Sequence, residues 1–412
     1  MNKKVNILRT RPLVATSLSI LLFSICLYHY LNRVGINLQI LIILSSLTAL
    51  ISLANEAKSF FISIAKEPKK YFLILCILVS AIGGLIINVD NIIEISFFII
   101  LLFLTYLIFI NKDNDLINLV TKLIICSGVF MSVGVLIALF ESIFLTSKLF
   151  YEIFDGSYPA ISDQKYFYYG FGYSHNFSAY IIVIALSFLF LSQSTPSRRL
   201  RNYLTSLFIF ALLITGARIV FLFFSLMACN YFIKKRTNKY LISVILISLY
   251  LLLSHILIVV DGNYELGSIH YRELLFSIGN IDFILGNYGY MKLVYFAELK
   301  ENFFFPVSLS GISQSLATDP HSLVFSLVIL GGVPLALSVV MFLVTGISKN
   351  ITIIEHKYSI FFYCGLISII TETFMWDANN FIFFWILILY AITISEDSYP
   401  PDNIKYTSIN KN

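Results

Sequence analysis

The chain has 412 residues, of which 58% are hydrophobic and only 12% are charged, and its formal net charge at pH 7 is +5. Its mean hydropathy of +0.86 is too high for a water-soluble domain, which must cover its surface with polar side chains. Composition therefore excludes a soluble enzyme and predicts an all-α, polytopic membrane protein.

Apolar runs of membrane-spanning character recur along the whole chain. About twelve of them approach the length needed to cross the hydrocarbon layer of a bilayer. In chain order they are Leu13–Leu31, Leu38–Ala54, Tyr71–Ile87, Ile92–Ile110, Leu123–Leu145, Phe177–Leu191, Tyr203–Thr215, Ile219–Phe232, Leu241–Val260, Leu323–Val344, Ile360–Phe374 and Phe381–Ile394. We expect one integral membrane domain with two larger outer loops, Thr146–Asn176 and Asp261–Ser322.

The distribution of lysine and arginine predicts the orientation of these spans. With the N-terminus placed inside, the inner segments hold about three times as many of these residues as the outer segments. We therefore expect both termini in the cytoplasm. The net positive charge then reflects orientation and requires no nucleic-acid partner. The first apolar run lacks a small-residue cleavage site, so we expect it to remain as an anchor.

Arg218 interrupts the apolar stretch Tyr203–Phe232 two residues after Gly216. In one long helix its guanidinium would lie near the bilayer centre, at a cost of roughly 2.5 to 3.5 kcal/mol. A turn at Gly216 costs less, and basic clusters on both sides of the stretch favour two crossings. We expect Arg218 at the outer surface, where it binds an anion or pairs with an acid such as Glu372 or Asp377.

The long outer loop carries the other candidate residues of chemical interest. Arg272 and Arg218 together suit a diphosphate, whose oxygens accept paired hydrogen bonds from a guanidinium. His321 follows Asp319 and Pro320 and directly precedes an apolar helix, and an imidazole can accept a hydroxyl proton near neutral pH. The plainer alternatives are a solvated arginine and a histidine that only marks the membrane interface.

The shorter outer loop ends in the aromatic segment Tyr166–Asn176, which contains Tyr173 and His175. Tyrosines gather at membrane interfaces without any ligand, and their faces also stack on sugar rings. Both interpretations stay open at this stage. Tyr173, His175 and, in the long loop, Tyr288 are candidate substrate-binding residues, and His175 is the second candidate for a general base.

Metal and cofactor signatures are missing from the sequence. The five cysteines all fall within apolar runs and show neither zinc spacing nor a disulfide framework. There is no Walker A sequence and no glycine-rich dinucleotide loop. We expect neither a metal ion nor a cofactor.

In their order and on their common outer side, several of these motifs resemble the superfamily of O-antigen polymerases and O-antigen ligases. The residues that carry the resemblance are Thr215–Arg218, Arg272, Gly286, Gly289, His321, Gly331, Gly332 and Pro334. The chain departs from the usual pattern at Ala217, where a serine commonly precedes the arginine, and at Ser322, where an asparagine often follows the histidine.

The resemblance implies a glycosyltransferase of the bacterial inner membrane that polymerises O-antigen or capsule repeat units carried on undecaprenyl diphosphate. Arg218 and Arg272 would stabilise the leaving diphosphate without a metal, and His321 would accept the proton of the attacking hydroxyl, with inversion at the anomeric carbon. The implied partners are the lipid-linked glycan, membrane lipid, a chain-length regulator and a flippase of the same pathway.

Two alternatives to a polymerase remain open. A ligase would transfer the glycan to the lipid A core, and nothing in these residues distinguishes that acceptor. A lipid-linked glycan flippase or another transporter is the alternative from a different class. It would place charged residues along a cavity within the spans, whereas here the charges gather in the outer loops.

Overall fold

The structure is a computed structural model that describes part of the chain. The described residues are 2–66, 68, 71–87, 92–110, 114–144, 149–154, 165–172, 174–191, 197–233, 241–243, 245–246, 256–260, 263–264, 281–285, 323–349, 382–383, 385–386 and 389–390.

Helices dominate these residues, as the composition predicts. They are α1 (Asn2–Arg33), α2 (Gln39–Ser52), α3 (Ala54–Lys66), α4 (Phe72–Ile87), α5 (Ile92–Ile110), α6 (Asn114–Phe144), α7 (His175–Leu191), α8 (Arg198–Thr215), α9 (Arg218–Phe232) and α10 (Leu323–Lys349). The predicted helical class is confirmed for this part of the chain.

The lengths of the described helices bear directly on membrane crossing. Among them, the segment Asp115–Phe144 alone is both long and apolar enough to cross a bilayer, with 30 residues and a hydropathy of 2.6. Shorter apolar helices of 10–17 residues occupy Pro12–Tyr28, Gln39–Ser52, Phe72–Ile87, Ile95–Phe109, His175–Phe190 and Leu327–Phe342. The count of about twelve spans stays a prediction.

Two small antiparallel sheets accompany the helices. In the first, β1 (Tyr151–Phe154) pairs with β2 (Lys165–Tyr168), with Tyr151 opposite Tyr168. In the second, β3 (Ile256–Val260) lies between β4 (Asn263–Tyr264) and β5 (Ile281–Leu285).

Strand β3 corrects one predicted boundary. The apolar run Leu241–Val260 was expected to be a span throughout, but its last five residues are a strand. Four of those five are isoleucine or valine, whose branched Cβ favours strands over helices. Strand β5 supplies the pairing partner.

Helix α7 lies at the centre of the described helices. Its side chains are buried without interruption from Phe177 to Leu189, because α6, α8 and α9 all pack against it. Helix α6 also packs against α1 and α8, α1 packs against α2, and α4 packs against α10.

One end of this helix bundle, which we name the loop end, carries the β1–β2 sheet. Arg33, the last residue of α1, donates hydrogen bonds to the carbonyl oxygens of Leu149 and Gly172, which flank the sheet. Helix α1 therefore ends at the loop end. Near the end of α6, the carboxylate of Glu141 accepts hydrogen bonds from the backbone at the start of the same loop. Helix α6 therefore ends at the loop end as well.

Helices α7 and α8 are antiparallel: α7 begins at the loop end, and α8 ends there. α7 begins there at His175, and the guanidinium of Arg201, in the first turns of α8, lies 5.9 Å from the ring of Phe190 at the far end of α7. α8 then contacts β2, so its last turn returns to the loop end. Arg218, the first residue of α9, therefore lies at the loop end as well.

Helix α10 also begins toward the loop end. The ring of Tyr390 contacts Phe109 at the end of α5 and Phe188 near the end of α7, so these two helices end together at the far side. α5 accordingly begins at the loop end, next to the end of α4. Gly84, close to that end of α4, touches the backbone of Leu330 in the first turns of α10.

The opposite end, which we name the basic end, carries exposed cationic side chains. Helix α2 leaves the loop end antiparallel to α1 and leads directly into α3, so α3 lies at the basic end. Lys58 and Lys66 of α3 are exposed there. Arg198 and Arg199, at the start of α8, are exposed at the same end. Among the described residues, the two ends of the bundle therefore differ in charge.

Candidate functional site

A buried carboxylate ties the loop Thr146–Asn176 to α6. The two oxygens of Glu141 accept hydrogen bonds from the backbone N–H groups of Leu149 and Phe150, both at 2.8 Å, and the side chain is 1% exposed. Hydrogen bonds to an ionised acceptor are stronger than neutral ones, and burial in an apolar helix excludes competing water. Glu141 therefore fixes the point at which the chain leaves α6 and enters β1.

An arginine from α1 closes the same loop at its other end. Arg33 donates to the carbonyl oxygen of Gly172 at 2.6 Å and to that of Leu149 at 3.4 Å. Its guanidinium also lies 4.1 Å from the centre of the Tyr169 ring, a cation–π distance. Because one planar group reaches the beginning and the end of the loop, Arg33 holds both together.

Aromatic rings fill the space under the loop. Phe171 stacks on Phe130 of α6 with ring centres 4.3 Å apart, and it meets Tyr30 edge to face at 5.5 Å. Tyr30 in turn stacks on Phe150 at 5.0 Å. Of these rings, Phe171 belongs to the aromatic segment, and it packs the loop against α1 and α6.

Two glycines allow the loop to approach α6 this closely. A Cβ atom at Gly134 of α6 would lie 2.9 Å from the backbone nitrogen of Phe171. Gly170 has a positive φ of 57°, and a Cβ there would lie 2.6 Å from the backbone nitrogen of Val135. Both positions therefore exclude a larger residue, one by contact and the other also by backbone conformation.

The start of α7 is built by two serines that flank His175. The hydroxyl of Ser174 accepts a hydrogen bond from the N–H of Phe177 at 3.1 Å, the arrangement of a helix N-cap. The hydroxyl of Ser178 donates to the carbonyl oxygen of Tyr169 at 2.6 Å and so joins α7 to the loop. His175, the first residue of α7, is half-buried, and the hydrogen bonds of Ser174 and Ser178 fix the helix turn that carries it.

The helix break predicted at Gly216 is present. α8 ends at Thr215, Gly216 adopts a left-handed conformation with φ of 65°, and α9 begins at Arg218. The hydroxyl of Thr215 donates to the carbonyl oxygen of Leu212 at 2.7 Å and accepts from the N–H of Ala217 at 3.4 Å. The break thus places Arg218 at a helix terminus instead of inside a continuous helix.

A second break interrupts α10 close to its start. Gly331 and Gly332 depart from helical geometry, with φ of −142° and 73°, and Pro334 opens the following segment. Proline has no N–H, so the carbonyl of Leu330 cannot receive its regular helical hydrogen bond. Instead, the backbone of Leu330 faces Gly84 of α4, where the absence of a side chain leaves room for it.

An apolar groove of about 580 Å³ runs between α4 and α10 below this break. Phe72, Leu75 and Val79 form one wall, and Val333 and Leu337 form the other. The groove is open along its length, and a flexible hydrocarbon chain suits such a lining.

The structure describes only some of the residues that the sequence analysis singles out. His175 begins α7 and Arg218 begins α9, and both helix starts lie at the loop end. The remaining candidates, together with the acids considered as partners of Arg218, lie outside the described residues: Tyr173, Arg272, Tyr288, His321, Glu372 and Asp377. Leu323, two residues after His321, begins α10 toward the loop end.

Sequence reasoning missed both Glu141 and Arg33. The signal for Glu141 was an acid inside the apolar run Leu123–Leu145, the same type of signal that singled out Arg218. No local pattern could have identified the partners of Arg33, since they lie 116 and 139 residues further along the chain.

Within the described residues, no group of three or more histidine, cysteine, aspartate or glutamate side chains is placed to hold a metal ion. Comparison of the chain with protein-family models, with curated proteins and with solved structures finds no match.

Proposed function

We propose that the chain is a membrane glycosyltransferase that polymerises oligosaccharide repeat units carried on undecaprenyl diphosphate. The units would belong to an O-antigen or capsule and would be joined at the outer face of the bacterial inner membrane. The two termini would lie in the cytoplasm, and the reaction would invert the anomeric configuration.

The observation that carries the proposal is the gathering of candidate segments at the loop end. α7 begins there with His175, α9 begins there with Arg218, and α10 begins toward it just after His321. These three segments are far apart in sequence. The exposed lysines and arginines of the basic end lie opposite, which is the charge distribution expected if the loop end faces outward.

In the proposed reaction, the arginines act on the leaving group. Cleavage of the bond between sugar and phosphate develops negative charge on the diphosphate, and Arg218 and Arg272 would stabilise that charge with paired hydrogen bonds. Arg218 is suited to this role because the break at Gly216 places it at the start of α9 instead of inside one continuous helix.

A histidine would act on the attacking sugar. His321 would accept the proton of the acceptor hydroxyl as the oxygen attacks the anomeric carbon. His175, with Tyr173 and Tyr288, would line the acceptor or donor sugars. The loop held by Glu141 and Arg33 would supply a rigid wall beside His175, which keeps the sugars in a reactive orientation.

The carrier lipid requires an apolar surface next to the reacting groups. The open groove between α4 and α10 has such a lining, and the helix that forms one wall begins directly after the segment that holds His321. We assign the isoprenoid chain of the donor to this groove.

The decisive experiment is deletion of the gene in its host, followed by electrophoresis of the surface glycan. Loss of a polymerase leaves a single repeat unit on the core, which is the expected result. Loss of a ligase leaves polymer on the carrier lipid, and loss of a flippase leaves no outer glycan. Either of the last two patterns, or an unchanged glycan, contradicts the proposal.

A purified reaction tests the assigned base. With lipid-linked donor and the protein in lipid, His321→Ala should bind donor as the parent does but should lose transfer, because general base catalysis contributes roughly 100- to 10,000-fold. His255→Ala is the matched control and should retain turnover. Equal turnover in His321→Ala, or loss of donor binding in parallel with turnover, would assign the base elsewhere, with His175 as the next residue to test.

A further inference from the structure

Helix α3 is an amphipathic segment that the pattern of apolar runs does not predict. It spans Ala54–Lys66 and directly follows α2 at the basic end. Its thirteen residues are too few to cross a bilayer, and it contacts α2 and α5 instead. Phe61 meets Phe103 of α5 with ring centres 5.6 Å apart, and Ile64 packs partly against the core.

A second side of α3 faces away from the protein. Lys58, Ile62 and Lys66 recur every fourth residue and so line one side of the helix, with Phe61 next to them. All four are exposed, Phe61 to 58% and Ile62 to 46%. Large apolar side chains alternating with lysines along one helix side suit the boundary between acyl chains and headgroups.

Charge identifies the lipid that this side would contact. The segment of residues 54–70 holds four lysines against two glutamates. Cationic side chains close to a membrane surface attract anionic headgroups and gain little from zwitterionic ones. The long stems of the lysines can lie beside Phe61 and Ile62 while their ammonium groups reach the phosphates.

We propose that α3 lies in the membrane interface at the basic end, with Ile62 and the exposed part of Phe61 among the acyl chains and Lys58 and Lys66 bound to anionic phospholipid headgroups. This surface would anchor the basic end of the bundle and would enrich anionic lipid around it. The inference rests on the membrane location proposed above but requires no glycosyl transfer.

The test measures lipid composition next to α3 in the full-length chain. Ile62→Cys is introduced into a variant whose five native cysteines are replaced, and the new thiol carries a fluorescent label. The protein is placed in nanodiscs that contain either brominated phosphatidylglycerol or brominated phosphatidylcholine at equal mole fraction. We expect stronger quenching by the anionic lipid, since one lysine near the surface contributes a preference of roughly fivefold.

Two variants and one control position sharpen the result. Lys58→Gln with Lys66→Gln should bring the ratio of the two quenching constants close to one. Arg198→Gln with Arg199→Gln, at the same end, should leave the ratio at position 62 unchanged. A label at Ile64, turned by about 200° around the helix axis and packed partly against the core, should be quenched less by both lipids.

Three outcomes would overturn the proposal. Equal quenching by the two lipids in the parent would show that α3 has no preference for anionic headgroups. A label at position 62 that neither lipid quenches would show that α3 lies away from the bilayer. A protein that stays in solution without lipid would refute the membrane location too. Loss of glycosyl transfer with retained quenching would refute only the proposed enzyme activity.

Discussion

At the scale of single residues, Glu141 shows how a charge within an apolar helix can serve structure. Its side chain is buried within an apolar helix, and both of its oxygens accept backbone hydrogen bonds, at 2.8 Å each. A buried charge is tolerated only with such compensation. The pair of bonds also determines where the loop Thr146–Asn176 begins, so that a residue of α6 positions the chain that leads to His175.

We predict that Glu141→Leu destabilises the protein by about 1–3 kcal/mol, because the amides of Leu149 and Phe150 lose their acceptor. Glu141→Gln should be milder, since its carbonyl oxygen can still accept one of the two bonds. Thermal unfolding of the purified protein, with hydrogen exchange at both amides, measures the effect. Ser187→Ala, which removes a buried hydroxyl bonded within its own helix, is the control and should change exchange at these amides little. Unchanged exchange in Glu141→Leu would contradict the assignment.

Arg218 is the residue at which stability and proposed chemistry can be separated. Arg218→Lys keeps the charge but replaces a planar fork of donors with a single ammonium, which cannot make paired contacts to a diphosphate. We therefore expect loss of most activity, at least about tenfold in turnover, at unchanged protein level. The matched control is Arg199→Lys, an exposed arginine at the basic end. Near-normal glycan length in Arg218→Lys would give Arg218 a structural role instead.

At the scale of elements, the breaks in the helices are as informative as the helices. α8 and α9 are separated by Gly216 in a left-handed conformation, and α10 is interrupted at Gly331 and Gly332. In both places glycine adopts a positive φ that other residues rarely adopt. The break in α10 also depends on a neighbour, because Leu330 meets α4 at a residue without a side chain.

Adjacent glycines in α4 provide a matched test of that contact. A Cβ at Gly84 would collide with the carbonyl oxygen of Leu330, whereas a Cβ at Gly83 would have no atom within 4 Å. We expect Gly84→Ala to destabilise by about 1–3 kcal/mol through overpacking. Gly83→Ala should be neutral or stabilise by up to about 1 kcal/mol, since alanine favours the helix. Similar melting temperatures for the two variants would contradict close packing of α4 against α10.

At the scale of the whole molecule, the two ends of the bundle differ in charge and in structure. The loop end carries a sheet held by Glu141 and Arg33, and the basic end carries exposed lysines and arginines. If the chain spans the membrane as proposed, this difference assigns the loop end to the outer side.

Cysteine labelling tests that orientation. Single cysteines at Asp155 and Ser310, in the two outer loops, should react with a membrane-impermeant thiol reagent in intact spheroplasts. A cysteine at Ser197, the exposed N-cap of α8 at the basic end, should react only after the membrane is opened. Reaction at Ser197 in intact spheroplasts would contradict the orientation and the location of the proposed site.

Local sequence determined the helices and the helix break before Arg218. It also predicted that most lysines and arginines lie on one side of the membrane. Each depends on residues close together in the chain, such as an apolar run, a single glycine or a cluster of lysines. Local sequence did not predict the strand Ile256–Val260, because a short run of branched apolar residues is compatible with a helix or a strand until its partner is known.

The tertiary structure alone decided which distant residues hold the loop end together. Arg33 reaches Gly172 across 139 positions of sequence, and Gly84 meets Leu330 from another helix. Such contacts depend on how helices pack, and packing is decided by the fit of whole surfaces rather than by any local pattern. For that reason the sequence could nominate His175 and Arg218 separately, whereas their common end of the bundle emerged only from the fold.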